Sequence, residues 1–482
     1  MIPRFRLESL IFVVVSLSVL FALTPALVAQ TERSLERQRE AFAQDEFERR
    51  ETESGLSFRA EETLQDFEFD YGGWARSGIY HLRDFSDHRN YRVQDMRLWS
   101  SLIYRDTHQL YVRVMGLYTD YNDQDEYSYM SGDEDDLNAP RLDIGYYYGD
   151  LGKAFSLGIE GKLRAKAGRQ YVTIGEGLAL DVRGDGLAME YEDDNVKLTG
   201  FALRSVYSED SYDRTYPDFG HNKFLYSGAE VVKKFSEVLE LYGYSVFMND
   251  KRETKLPLAV PQKFRYNAGH FGAGLRGQIG PALMFHGEYT RELGRRYSSG
   301  TVERSDIDAY AYDLEVSYAF VQSELEPKIS FQHLFGSGDH DTGVTVDTVG
   351  GNMGGTNDNT FFSYGYINTG FVFFPLISNI EINRIGLDLT PCKDHPSLGD
   401  LEVGVNYFTY RKHESKGGIS DRGLDLTSDT SGLGYETDFF VTWRPFSDVL
   451  VTAQYGLFVP DSDAFTDSDK RPFYSLGVMF YF

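Results

Sequence analysis

From about Phe67 onward the chain alternates apolar and polar residues with a period of two, over stretches of roughly ten residues. Leu110, Val112, Val114 and Tyr118 share one face, and Tyr111, Arg113 and Met115 the other. Leu142, Ile144, Tyr146 and Tyr148 alternate with Arg141, Asp143 and Gly145, and Thr437, Phe439, Val441 and Trp443 with Glu436, Asp438, Thr442 and Arg444. Because β side chains point to opposite faces in turn, each stretch predicts a strand with one apolar and one polar side. An apolar side suits lipid and a polar side suits a watery lumen.

The connections sharpen this reading. Arg105–His108, Glu192–Asn195, Gln278–Pro281 and Pro445–Asp448 are short. Those around 120–138, 207–221, 249–263, 335–364 and 411–432 are long. Tight turns alternating with long loops mark an outer-membrane barrel, whose turns face the periplasm and whose loops face outward. The prediction is an all-β transmembrane antiparallel β-barrel of about eighteen strands, within a range of 16–18, the even count that bacterial barrels favour. Residues near Asp135, Asp213, Gly351 and Ser420 are expected outside the cell, and those near Asp194 and Ser447 in the periplasm.

Both ends of the chain fit export to that membrane. Arg4 and Arg6 precede an apolar run from Leu10 to Leu23, followed by Thr24-Pro25-Ala26-Leu27-Val28-Ala29. This charged, apolar, small-residue order is that of a secretory signal peptide. The run is shorter than the ~20 residues that a membrane-spanning helix needs. At the other end Tyr474, Leu476, Val478, Phe480 and Phe482 form one apolar face ending on an aromatic residue. That face resembles the terminal signal by which outer-membrane proteins engage their assembly machinery. The expected organisation is a signal peptide over 1–29, a charged periplasmic segment over 30–66, and the barrel over 67–482.

Composition changes the picture in four ways. The 34 Tyr, 35 Phe and 47 Gly, against only 14 Pro, suit a large sheet with aromatic girdles. The mean hydropathy of -0.40 fits a chain in which only alternate residues meet lipid. A net charge of -26 argues against a nucleic-acid partner, since phosphate binding needs a basic surface. The one cysteine, Cys392, allows no intrachain disulfide and offers no metal set.

Four places resemble the alginate-export family of outer-membrane porins. Gly168-Arg169-Gln170 leads into Gly184-Asp185-Gly186-Leu187. A hairpin with Tyr191-Glu192-Asp193-Asp194 ends in Ala202-Leu203-Arg204-Ser205-Val206-Tyr207-Ser208. Gly336-Ser337-Gly338-Asp339 opens the longest loop. Glu436-Thr437-Asp438 is followed by Tyr455-Gly456-Leu457-Phe458-Val459-Pro460. The resemblance spans about residues 67–482 and implies a pore for a polar or anionic saccharide, of which an alginate-like polymer is the family's instance. Such a pore needs lumen-facing cations to lower the cost of confining carboxylates, and arginine pairs with them bidentately. The candidate substrate-binding residues are Arg113, Arg141, Arg164, Arg169 and Arg204, with Arg276 and Arg384 as weaker members. Arg169 leads because it falls in the family-like Gly-Arg-Gln, and with Arg113 it is expected to face the lumen. The chain departs from the family at Thr452 and Gln454, where arginines are expected, and at Tyr364–Asn368, where a basic cluster is. A general, weakly selective porin for small solutes, or the barrel of another secretion or surface complex, are the alternatives.

Other features carry less. Asp133–Asp136 reads as a solvated loop, and Asp461, Asp463, Asp467 and Asp469 lack the glycine and closing glutamate of a calcium loop. His270, His286 and His333 fall on predicted strands, and no nucleophile elbow or zinc motif accompanies them. The expectation is therefore no enzyme, no cofactor and no metal. The partners expected are an anionic polysaccharide or small solutes, outer-membrane lipid and lipopolysaccharide, the barrel-assembly machinery and periplasmic secretion proteins.

Overall fold

Strands that are apolar on one side only must close on themselves in a membrane, because an open edge leaves backbone groups unpaired in lipid. The computed structural model shows that closure. It describes residues 67–84, 87–105, 107–122, 136–206, 223–236, 238–251, 266–297, 304–345, 352–419, 421 and 423–482. The expected signal peptide, the charged segment, and the positions Asp135, Asp213, Gly351 and Ser420 lie outside the described residues.

The described residues form eighteen strands and one short helix. The first nine are β1 (Phe67–Asp84), β2 (Asp87–Tyr104), β3 (His108–Tyr121), β4 (Asp136–Asp150), β5 (Lys162–Ile174), β6 (Leu180–Glu192), β7 (Val196–Ser205), β8 (Phe224–Ser236) and β9 (Leu239–Asp250). The second nine are β10 (Tyr266–Ile279), β11 (Leu283–Tyr297), β12 (Arg304–Ala319), β13 (Lys328–Gly336), β14 (Ile380–Leu389), β15 (Leu401–Lys412), β16 (Gly432–Phe446), β17 (Val449–Pro460) and β18 (Arg471–Tyr481). Helix α1 (Leu151–Ala154) opens the β4–β5 connection. Each strand pairs antiparallel with its sequence neighbours, and β1 closes on β18 through Trp74–Leu82 against Tyr481–Phe473. No helix among the described residues is long and apolar enough to cross a membrane.

The alternation sorts side chains as the pattern required. On β3, Leu110 and Val114 are exposed while Tyr111, Arg113 and Met115 are buried inside. On β16, Tyr435, Phe439 and Val441 face out while Glu436 and Asp438 are buried. On β18, Tyr474, Leu476, Phe480 and the following Phe482 face out. Exposed Phe67, Phe69 and Tyr71 join Phe482 at one rim, an interfacial aromatic girdle. By the rule that tight turns face inward, that rim is periplasmic. The β6–β7 turn there is tied by Asp193, which accepts from the amides of Asn195 and Val196 at 2.8 and 2.9 Å. Those two amide donors hold its carboxyl below the usual aspartate range.

β4 departs from the expected faces. Arg113 pairs with Ile144 and Val114 with Leu142, so Asp143 is an extra residue, a bulge. One inserted residue reverses the alternation beyond it. Leu142 therefore faces lipid, but Tyr146 stacks on the buried Tyr111, and Tyr147 takes the outward place. Assigning Ile144, Tyr146 and Tyr148 to the lipid side with Leu142 was incorrect for that reason.

The largest buried cluster fills the interior of the outer half of the barrel instead of lying between sheets. It joins wall residues such as Val246, Ile382 and Phe408 to Ile174, Leu178 and Leu180, and to Phe361, Phe362, Tyr364 and Phe373. Those last seven residues belong to two segments that leave the wall.

Candidate functional site

The first segment is the tip of the β5–β6 hairpin. Pairing of β4 with β5 stops at Gly145–Arg169, and pairing of β6 with β7 stops at Gly184–Ser205. Yet β5 and β6 continue to pair with each other up to Ile174–Leu180. The hairpin therefore turns inward and crosses the lumen. Its tip amides reach carboxylates on distant walls: Gly175 donates to Glu230 on β8 at 2.8 Å, and Glu176 donates to Glu288 on β11 at 2.6 Å. The bend needs glycine. Gly168, opposite Gly186, has φ of +134°, and a Cβ there would stand 2.2 Å from the Gly145 carbonyl oxygen. The family-like glycine pairs mark the place where the hairpin leaves the wall.

The second segment is the 337–379 connection between β13 and β14, described except for 346–351. Expected as an extracellular loop, it folds into the barrel because its aromatic residues find the apolar hairpin tip there. The Tyr364 amide donates to the Ala179 carbonyl at 3.2 Å, and the Asp181 amide donates to the Tyr364 carbonyl at 3.1 Å. Carboxylates on the wall hold the rest. Glu436 accepts from the amides of Phe371, Val372 and Phe373 at 2.6, 2.7 and 2.9 Å. Asp438 accepts from Phe371 at 2.9 Å and Glu292 from Phe362 at 2.8 Å, while the loop's own Asp358 is ion-paired with Arg296 on the β11 wall. His270 on β10 hydrogen-bonds the Phe362 carbonyl at 3.1 Å, which gives it a positioning place in the wall. Each buried lumen carboxylate of this set meets donors, as buried charge requires.

A cluster of arginines faces the hairpin from the other side. Asp143, wholly buried, receives Arg113 at 2.6 Å, Arg183 at 2.6 Å and Arg97 at 3.1 Å, and Arg97 also meets Asp95 at 3.1 Å. Trp74 lies under Arg97 and Arg113, 5.8 and 5.2 Å from their guanidinium carbons. Arg183 comes from the hairpin, so this cluster ties the inward segment to β2, β3 and β4.

The seven arginines singled out in the sequence divide. Arg113, Arg164, Arg276 and Arg384 face inward, and each meets a carboxylate: Arg164 meets Glu190 at 2.7 Å, Arg276 meets Glu240 at 2.8 Å, and Arg384 meets Glu315 at 2.9 Å. Arg141 pairs with Met115 across the strands and shares its inner face. Arg169 and Arg204 do not face the lumen. Both sit opposite Asp185, on the side of the wall that exposes Leu187 and Leu198, while the intervening Gln170 and Leu203 are buried inside. Arg169 grips Asp185 at 2.7 and 3.0 Å and donates to the Leu142 carbonyl at 2.8 Å, at the β4 edge that β5 abandons. Its place at a family motif reflects that seam. Replacing Arg169 by glutamine is expected to leave the reversal potential of the open pore unchanged in a salt gradient. A shift toward cations would return Arg169 to the ion path.

Beneath the second segment, on the periplasmic side, lies a chamber of about 720 Å³. Tyr366, Asn368 and Phe371 roof it, and walls β12 to β18 and β1 surround it. Arg76, Lys328 and Arg384 line it together with Glu315, Asp388 and Glu402, and Thr452 and Gln454 point into it. Sequence reasoning missed the roof, Arg97 and Arg183. The dense run Phe361-Phe362-Ser363-Tyr364 to Phe371-Val372-Phe373-Phe374 was the available signal, because an extracellular loop has no need of so many aromatics. Among the described residues no group of three or more His, Cys, Asp or Glu is placed to hold a metal ion. Asp467 and Asp469 instead pair with Arg83, at 3.4 and 2.7 Å.

Comparison with known proteins agrees with this architecture. A family profile described as alginate export matches residues 81–471. A search of curated proteins finds no match. Among solved structures, the outer membrane protein OprD from Pseudomonas aeruginosa is 12% identical, with a TM-score of 0.51 over 89% of this chain and 97% of that one. OccK5 (OpdH) from the same organism is 10% identical, with a TM-score of 0.52 over 87% and 98%. At such identities the likeness is one of fold.

Proposed function

The chain belongs to the alginate-export family and is an outer-membrane pore, and from that premise we propose that it passes short polar saccharides and comparable small solutes with weak charge selectivity. The observation that carries this reading is the chamber lining, in which three cations stand against three carboxylates. Selectivity in a pore follows the fixed charge at its narrow parts, and a balanced lining favours neither sign. The two inward segments limit the size of what enters. An outer-membrane channel of this kind acts by letting solutes diffuse, so its residues serve as lining and support and not as catalysts.

A second reading, passage of an anionic saccharide of the alginate type, has a specific observation in its favour. Arg164, Lys166, Lys197 and Lys234 run along the inner face of β5, β7 and β8. Glu190 and Glu192 lie between them, and contact Arg164, Lys197 and Lys234 at 2.7–3.2 Å, which offsets much of that charge. Reconstitution in planar bilayers separates the two. The first reading expects a reversal potential near zero in a potassium chloride gradient, and liposome swelling by neutral sugars that slows as they lengthen. Strong anion selectivity, with block by uronate oligomers and none by neutral ones, would replace it with the second.

A further inference from the structure

We propose that the chamber beneath the constriction is a binding subsite for an uncharged, hydroxyl-rich ligand, a short neutral saccharide; this rests on the reading of the barrel as a saccharide pore. A sugar hydroxyl both donates and accepts, so its site needs side chains with unspent groups of both kinds. The chamber has them. The side chains of Ser330, Asn406, Thr442 and Thr452 enter no hydrogen bond among the described residues. Gln454 accepts from the Ser475 hydroxyl at 2.9 Å and keeps its amide N–H groups free. These residues come from β13, β15, β16 and β17, so the belt follows the curved wall. Ser330 is nine-tenths buried within the protein and still opens onto the cavity.

The floor is shaped for close approach. A Cβ on Gly386 would stand 2.4 Å from Ser330 Oγ and 2.7 Å from Asn406 Oδ1, so both oxygens lean over the same bare backbone. On the neighbouring wall Phe440 lies across Gly404, and with Phe371 and Tyr366 above it offers an apolar surface to the C–H face of a sugar ring. The charged groups do not favour a uronate. Arg384 is already paired with Glu315 at 2.9 Å, and Lys328 lies 4.0 Å from Asp388. Arg76 is engaged as well, so a ligand carboxylate would give up its hydration in a charge-balanced lining without a free cation to receive it, which discriminates against it.

The test uses the full chain in planar bilayers, with a neutral glucose trisaccharide and a uronate oligomer of equal length as probes. The neutral trisaccharide is expected to block the current saturably, and the uronate to require about tenfold more for the same block. Asn406→Leu, close in volume, should weaken the neutral block by about threefold to tenfold, the worth of one net hydrogen bond, with block measured relative to the variant's own conductance in plain salt. Thr452→Val gives the same readout should Asn406→Leu fail to yield heat-modifiable folded barrel. An open pore whose block by the neutral sugar does not saturate, ignores both substitutions, or is matched by the uronate overturns the subsite alone. A folded barrel with no conductance overturns the pore reading and the subsite with it.

Discussion

Replacing Glu436 by leucine is expected to raise the single-channel conductance several-fold and to make it flicker between levels. The Glu436 carboxylate is fully buried and takes three consecutive amides of the inward loop, with Tyr410 as a further donor at 3.3 Å. A hydrogen bond contributes roughly 0.5–1.5 kcal/mol net, and a buried donor left alone costs about 1–3 kcal/mol. Leucine keeps the volume and removes every acceptor. The amides of Val372 and Phe373 can then be satisfied only by water, which they reach by leaving the wall. Asp438 retains Phe371, and Glu292 and Arg296 retain the earlier part of the loop. The released stretch, Val372 and Phe373, adjoins Phe371 in the roof of the chamber, and its loosening lets that edge of the roof give way and widens the narrow part of the path. Replacing Asp306 by asparagine, in an exposed pair with Arg295 on the outer rim, should leave conductance as it is. A folded Glu436→Leu barrel with unchanged current would mean that the aromatic core alone holds the loop.

Much of this barrel was legible along the chain because lipid and water make opposite demands on the two faces of a strand. β3, β16 and β18 had their faces readable residue by residue, and about eighteen strands followed from the turns between them. Two kinds of information were not local. On β4 a single extra residue, Asp143, exchanges the faces, and nothing in its neighbours announces the bulge. In the hairpin the alternation of Val172, Ile174, Leu180 and Val182 continues as in a wall strand, but both faces now lie inside the barrel. The period of two says that a strand exists and not where it runs. Arg169 illustrates the same limit for the site, since its motif was informative about the bend while its side chain belongs to the outer seam. The lumen arginines could be assigned to the inside, but the carboxylates that neutralise them come from strands that only the closed register brings together.

The register also gathers three arginines on one buried carboxylate, and removing Asp143 is expected to destabilise the folded barrel by about 3–5 kcal/mol, the usual consequence of stranding buried charges. Asp143 is the one carboxylate shared by Arg97, Arg113 and Arg183, and all four side chains are at least nine-tenths buried. With asparagine in its place, the three guanidinium groups lose the carboxylate they share, and Asp95 remains beside Arg97. Trp74 offers ring faces to two of them and no charge. Arg183 has a further option, because the hairpin that bears it leaves the wall at Arg169 and Gly184 and can pivot there. The tip would stay bound to Glu230 and Glu288, while the arm near the wall swings toward open lumen where Arg183 can hydrate. Thermal unfolding in detergent should show the lowered stability, and bilayer recordings should show a conductance change of opposite sense to that of Glu436→Leu as the arm enters the path. Leucine at 143 should behave like asparagine, since charge and not volume is what the arginines require. A barrel that melts at the native temperature with asparagine there would mean that the three arginines find other partners, and that the hairpin is held by its apolar tip alone.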